Sequence, residues 1–249
     1  MIDKRKILRV QNDRISEEED FISIEEIVGL YINKQLLTRN SISPSNLKEW
    51  AVGYLYSSGL IKWDQSVKIE FSAGDVYVES DLIPSASDYV FQSSSCTGGM
   101  EQLCFKGLTP LHPPFNFRVE ISKLFSIYEK FNAFSNNFKL SGSLHAAGIS
   151  DGEQIQFFAE DVGRHNAVDK VIGMAFLSRF DLTSSILLTT GRISLEIVKK
   201  CIVARIPAIV SRSAPTTFAI DFAKNYNVTL IGFLRGKRCN IYCNFLFKI

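Results

Sequence analysis

SILLTTGRISLEIVKKCIVARIPAIVSRSAPTTFAIDFAKNYNVTLIGF, residues 185–233, alternates short apolar runs with longer segments of helical spacing. Residues 185–189, 208–210 and 229–233 read as buried strands. Residues 194–204 and 216–225 read as the helices between them. Strand, helix, strand, helix, strand with short links predicts an α/β fold. Its sheet is mixed or mostly parallel, and helices flank it.

Working outward, residues 166–177 predict an amphipathic helix, and residues 149–159 a hairpin turning at Asp151-Gly152. Residues 121–134 place Leu124, Tyr128 and Phe131 on one helical face. Pro110 and Pro113-Pro114 break the chain before it, and residues 85–95 form a serine-rich connection. Further back, residues 26–33 and 34–40 read as two strands joined by a turn. Ser43-Pro44 reads as a helix start, with Ser as cap and Pro in the first turn. Leu47, Trp50, Ala51, Tyr54 and Leu55 give that helix its apolar face, and Gly59 ends it. Residues 67–71 and 76–79 alternate around Ala73-Gly74-Asp75 as a hairpin. The expected organisation is a flexible segment over 1–20, a small α+β region over 21–90 and the α/β core over 91–249.

With 249 residues, 46% hydrophobic and 22% charged, the chain can bury a substantial core. A net charge of +2 is too weak to argue for nucleic acid, so any anion site must be local. Apolar stretches such as 186–188 and 206–210 are far too short to cross a bilayer, so no membrane partner is expected. Residues 1–20 alternate basic and acidic side chains without the apolar centre of a signal peptide. The five cysteines, Cys96, Cys104, Cys201, Cys239 and Cys243, are odd in number and irregularly spaced, which does not suit a disulfide framework. A reduced, cytoplasmic setting is expected.

Polar residues gather where the strands should end: residues 161–166, 189–192, 211–216 and 233–238. Parallel strands present their C-terminal ends at one edge, where α/β sheets bind ligands. Each cluster sets Arg or Lys beside glycine or small hydroxyl residues, and three of the four adjoin a helix start, which suits phosphate. Helix capping plus surface arginines is the plainer alternative. No Walker loop or GxGxxG fingerprint is present.

Cys96 is the nucleophile candidate. Thr97-Gly98-Gly99 after it lets backbone approach a ligand closely, and a helix opening near Met100 would favour a thiolate. A buried structural cysteine is the alternative reading. Cys104 and Cys201 sit in apolar settings and read as core; Cys239 and Cys243 suggest no function. His145 and His165 lie in polar loops near the same edge, as site residues or as satisfied hydrogen-bonding groups, while His112 reads as structural. With no CxxC and no HxxH, no intrinsic metal is expected.

EDVGRHNAVDKVIG, residues 160–173, closely resembles the signature of the FdhD family. The resemblance continues through residues 189–242. It extends upstream to SGSLHAAG (141–148), SSSCTGG (93–99) and SPSNLKEWAVGYLYSSGLI (43–61), in the same order. It implies a cytidine-deaminase-like core without deamination. Such enzymes need a His-x-Glu and a Pro-Cys-x-x-Cys. Here His145 precedes Ala146-Ala147, and Cys96 precedes Thr97-Gly98-Gly99.

The resemblance also implies a function. Sulfur would pass from a cysteine desulfurase to a molybdenum cofactor, bis-molybdopterin guanine dinucleotide, destined for formate dehydrogenase. The cofactor is a bound substrate, and sulfur would travel as a persulfide on Cys96. Some relatives carry a CxxC at this place; here Gly99 stands where its second cysteine would be. The family's cofactor-binding segment matches Phe233, Leu234, Arg235, Gly236 and Lys237, with Arg238 as an adjacent cation. Gly191, Arg192, Ser213 and Thr216 are expected on the same guanine-nucleotide pocket. His145, Asp161, Arg164 and His165 are expected nearer the reactive end and Cys96. Phe233 is either a stacking partner for guanine or core. Homodimerisation is left open. Two other readings compete: a non-catalytic chaperone that binds the cofactor and its client, and a zinc hydrolase on the same fold.

Overall fold

The structure, a computed structural model, describes residues 1–80, 108–112 and 117–248. Cys96, Cys104, the serine-rich connection, residues 97–103 and Pro113-Pro114 lie outside the described residues.

Ile2–Gln11 (β1) and Arg14–Ser23 (β2) pair antiparallel as a separate ribbon. Glu26–Ile32 (β3), Gln35–Ile42 (β4), helix Leu47–Ser57 (α1), Lys68–Ser72 (β5) and Asp75–Glu79 (β6) follow. Their sheet has the order β4-β3-β6-β5. Val119–Glu120 (β7) leads into helices Ile121–Phe134 (α2) and Asn136–Ser141 (α3). His145–Ser150 (β8), Ile155–Asp161 (β9), helix Arg164–Leu177 (α4) and Ile186–Thr189 (β10) come next. Helix Leu195–Val203 (α5), Ala208–Ser211 (β11), helix Thr217–Asn225 (α6), Thr229–Arg235 (β12) and Arg238–Cys243 (β13) complete the main sheet, and Phe247–Lys248 (β14) pairs with β7.

That main sheet has the order β13-β12-β11-β10-β8-β9. β10, β11 and β12 run parallel, while β8, β9 and β13 are antiparallel additions. The fold is therefore mixed α/β, as expected. Every residue of β10 and β11 is buried because both faces of the sheet are covered. Leu187, Ile209 and Leu230 face one core with α4, α5 and α6. Ile186, Leu188, Ala208, Val210 and Ile231 face the other with Leu124, Ile127, Tyr128 and Phe131 of α2.

The small N-terminal sheet shares the first of these cores: Val28, Leu30, Ile42, Val76 and Val78 belong to one cluster with Val171 and Ile172 of α4. α1 packs directly on α4. A Cβ at Gly53 would fall 1.8 Å from the Asp169 carbonyl oxygen, and one at Gly173 would fall 1.8 Å from that of Glu49. Only hydrogen at both positions lets the two backbones meet this closely.

Three local expectations differ from the structure. The first twenty residues form most of the β1–β2 ribbon, whose alternating basic and acidic side chains pair across it, as in Arg9–Glu18 at 3.3 Å. The hairpin expected over 149–159 is longer, and His145 is its first strand residue rather than a loop residue. Ser43 does not cap α1. The N-cap is Asn46, in the left-handed region at φ 52° with no side-chain cap bond. Ser43 is occupied elsewhere: its N–H donates to Asp161 Oδ2, and its Oγ accepts the Val162 N–H.

Candidate functional site

Thr189 and Ser211 end neighbouring parallel strands, so their loops start at one sheet edge. The loops are laced together beyond it. Ser211 Oγ donates to the Gly191 carbonyl at 2.6 Å, Ser213 Oγ to that of Thr190 at 2.9 Å, and the Phe233 N–H to that of Ser213 at 3.1 Å. Antiparallel β8 begins at the same edge, where the Thr190 N–H donates to Ala146 O, and β9 ends there with Asp161 opposite His145. The four clusters read from sequence thus meet along one edge.

Among the described residues, three recesses lie along that edge, each sharing a wall residue with the next. The first, about 270 Å³, is lined by Arg39, Asn40, His145, Arg164, His165 and Lys200. The second, about 470 Å³, shares His145 and adds Asn132, Ser135, Lys139, Thr190 and Arg212. The third, about 730 Å³, shares Asn132 and adds Phe125, Glu129, Leu234, Gly236 and Lys237. An arc therefore runs from the His145–Arg164–His165 corner to the turn between β12 and β13. Among the described residues the walls expected to form one pocket make an arc of adjoining recesses.

The other expected residues divide by surroundings. Arg192, Arg235 and Arg238 are exposed at the strand ends. Phe233 is half-buried at φ 52°, where the β12–β13 register shifts in a bulge. Leu234 belongs to the core under α2. Gly191 is small for a packing reason, because a Cβ there would lie 2.9 Å from the Arg164 Cβ. Thr216 is the α6 cap, its Oγ1 accepting the Ala219 N–H at 3.3 Å.

Asp161, expected to border the reactive end, is fully buried. Its Oδ2 meets Lys170 Nζ at 2.6 Å, and its Oδ1 accepts from the Gly163 N–H and Asn166 Nδ2. Burial pulls the Lys170 ammonium below its ordinary pKa, and Asp161 opposes that pull. Asp161 therefore holds the 161–166 turn in shape and presents Arg164 and His165, with no carboxylate left for a ligand.

Sequence reasoning missed Arg39, Lys200, Asn132, Ser135, Lys139 and Arg212. Arg212 was visible inside the 211–216 cluster and went unselected. The others come from segments with no local signature. Tyr128, read only as core, sets the geometry between α2 and the strand ends: its hydroxyl donates to Thr189 O at 2.7 Å and accepts the Arg212 N–H at 2.9 Å. Among the described residues no group of three His, Cys, Asp or Glu side chains is placed to hold a metal ion. No helix among them is long and apolar enough to cross a membrane.

His165 Nε2 lies 3.0 Å from Glu196 Oε2 and 3.3 Å from Ser194 Oγ. Burial lowers the His165 pKa, Arg164 adds to the effect, and the Glu196 hydrogen bond opposes it. For Glu196, burial raises the pKa, but His165, Lys200 and Arg164 outweigh it and hold the carboxyl below its ordinary value. Neutral His165 then donates Nε2–H to an ionised Glu196. His145 is lowered as well, by burial first and then by Arg164 and His165. Both imidazoles bind protons less readily folded than unfolded. Their contribution to stability is complete above the ordinary histidine value of 6.5 and is lost as pH falls from there through the depressed values. The urea midpoint is expected to decline over that interval. A His145→Asn/His165→Asn double variant should show a flatter pH dependence; an unchanged slope would refute this assignment.

The FdhD/NarQ family model matches residues 23–245. The sulfur carrier protein FdhD of Wolinella succinogenes is 35% identical, covering 97% of this chain and 87% of that protein. That of Sulfurisphaera tokodaii is 36% identical, covering 95% of each. A crystal structure of a protein from Desulfotalea psychrophila, assigned as a formate dehydrogenase accessory protein, superposes with a TM-score of 0.80 at 26% identity. It covers 97% of this chain and 96% of that one. With the family model spanning nearly the whole chain, and relatives above 30% identity over nearly all of it, the chain belongs to the FdhD/NarQ family.

Proposed function

We propose that this chain is a sulfur carrier in formate dehydrogenase maturation, acting as a sulfurtransferase through Cys96. The observation that carries the reading is the near full-length similarity to proteins named sulfur carriers. The chemistry needs one reactive cysteine. The Cys96 thiolate attacks the outer sulfur of a cysteine desulfurase persulfide. The donor's S–S bond breaks, its thiolate leaves, and Cys96 holds the sulfane sulfur as a new persulfide. A second loop cysteine is not required for that step. A cytoplasmic location suits it, because thiols persist there.

The acceptor in this reading is bis-molybdopterin guanine dinucleotide, bound as substrate. It is elongated and polyanionic, with guanines at its ends and diphosphates between. A three-recess arc with Arg39, Arg164, Lys200 and Arg212 along it suits such a molecule. His145, Arg164 and His165 then serve the reactive end, and residues 233–238 the nucleotide end.

The test is mass spectrometry after incubation with a cysteine desulfurase and cysteine. The Cys96 peptide should gain one sulfur atom, reversibly on reduction, and Cys96→Ala should gain none and fail to restore formate dehydrogenase activity in a strain lacking its own accessory protein. Full restoration by Cys96→Ala would remove the carrier role and leave the chaperone reading.

A further inference from the structure

The first recess differs in kind from the other two. At about 270 Å³ it falls below the roughly 300–1,000 Å³ of pockets that enclose drug-sized ligands, so it suits a small one. Its wall converges from separate elements: Arg39 from β4, His145 from β8, Arg164 and His165 from α4, and Lys200 from α5. Among the described residues it sets three cations against one carboxylate, Asp169, and both Asp169 oxygens already meet Lys200 Nζ. Arg39 is steadied at the rim by the Tyr31 hydroxyl at 3.1 Å and by Asp75 at 3.9 Å. The two histidines differ in their commitments. His165 is bound to Glu196 and Ser194. Among the described residues no hydrogen bond or ion pair takes up the His145 ring, which is half-buried where the first and second recesses meet. Arg164, His165 and Arg192 oppose its protonation, and Asp161, itself taken up by Lys170, favours it. Arg39, Asp169 and Lys200 share the first recess with it, and Lys139 and Arg212 share the second. The ring is therefore neutral near pH 7 and sits in a positive field. It gains a proton readily only when an anion arrives to offset that field.

We propose that the first recess receives a singly charged sulfur anion, a thiolate or perthiolate, and that His145 exchanges the proton with it. The proposal rests on the sulfur-carrier reading and names a catalytic residue for it. A thiol entering the recess gives its S–H proton to the His145 imidazole and remains as a thiolate beside Arg39 and Arg164. The thiolate attacks the outer sulfur of the donor persulfide. The donor's S–S bond breaks, and the leaving thiolate takes the proton back from the imidazolium. One S–S bond forms for the one that breaks, so no oxidant or reductant is needed. Ordinary thiol and imidazole pKa values, about 8.5 and about 6.5, lie close enough for the pairing of anion and imidazolium to balance the exchange. The sulfur can belong to Cys96 or to free hydrosulfide, which share this chemistry.

Histidine NMR on the full chain tests this, because its three histidines give three ring signals and His112, outside the recess, serves as the internal reference. Thiocyanate is the first probe, a sulfur anion that stays ionised throughout the titration. It should raise the His145 midpoint by about one pH unit, the lower range for an opposite charge within about 6 Å, and leave His112 unmoved. Arg39→Gln should weaken that response several-fold. An equal response to chloride or phosphate at matched ionic strength would overturn the sulfur assignment, and no response to thiocyanate would overturn the recess. Loading with a cysteine desulfurase and cysteine separates the sources. A shift in wild type but not in Cys96→Ala assigns the anion to the Cys96 persulfide, and a shift in both assigns it to free hydrosulfide. A shift in neither, with sulfur on Cys96 by mass, refutes the proposal and leaves the carrier reading intact. A thiocyanate response with no sulfur on Cys96 supports the recess while defeating the carrier reading. The rate supplies the catalytic readout. His145→Ala should slow sulfur gain by Cys96 roughly a hundred-fold or more, the range for general base catalysis, and added imidazole should restore part of it, which a merely structural histidine would not allow. A wild-type rate in His145→Ala would remove His145 from the reaction.

Discussion

Gly173→Ala is expected to lower the unfolding free energy by about 3 kcal/mol or more, the upper range for overpacking a filled interior. The added methyl would sit 1.8 Å from the Glu49 carbonyl oxygen and 2.9 Å from the Gly53 nitrogen. Both are helix backbone, so no rotamer change relieves the clash, and α1 must move away from α4. Moving α1 opens the shared core around Trp50, Leu55 and Val171, all fully buried. Gly53→Ala should cost a similar amount, because its Cβ meets the Asp169 carbonyl at the same distance. The double variant should cost less than the sum, since helices already separated by one methyl have room for the second. Urea unfolding with an unchanged m-value is the measurement. A loss below about 1 kcal/mol in both single variants would mean that the crossing is not as tight as the structure has it.

The second large effect is expected at Lys200 and Asp169. Lys200 Nζ lies 2.7 and 3.0 Å from the two Asp169 oxygens and 3.0 Å from Ser57 Oγ, and it sits over the Tyr54 ring at 5.3 Å. Both side chains are about 2% exposed or less. Asp169→Leu leaves a buried ammonium with a hydroxyl and a ring for company, and removal of one partner of such a pair costs about 3–5 kcal/mol. Lys200→Met should cost less than that, because Ser57 Oγ still donates to Asp169 Oδ1 at 2.8 Å. Combining Lys200→Met with Asp169→Leu removes both desolvation penalties and should recover most of the loss. Chemical denaturation of the four proteins closes the cycle. Additive losses in the double variant would show that the two residues do not act as a pair. Lys200 also lines the first recess, so the recovered double variant should be stable yet weaker toward anionic ligands.

These buried polar groups explain how the N-terminal region is registered on the core. Lys170 donates to Ser43 O at 3.0 Å and pairs with Asp161; Lys200 and Asp169 both engage Ser57. Each links the segment around α1 to α4 or α5. Apolar packing alone would tolerate a slide of α1 along α4, whereas a misplaced buried charge is not tolerated. That alignment brings Arg39 and Asn40 of β4 to the first recess beside Arg164 and His165.

The α/β alternation over residues 185–233 was legible because strand and helix periods are local properties of a few residues. The common edge followed from parallel strand direction, without tertiary knowledge. The four polar clusters were therefore found where the structure has them. What the local windows could not contain is which partner each polar group would take. Ser43 looked like a helix cap and became a ligand of Asp161, 118 residues away. Asp161 looked like a site residue and became half of a buried ion pair, because Lys170 one helical face further on neutralises it at zero exposure. Arg39, Lys139 and Ser135 carried no motif. They are site residues only because helix crossing and sheet order set them beside His145. Composition and period determined the layers of this protein; the identity of its recess walls was decided by long-range packing, where each buried charge must meet its partner in three dimensions.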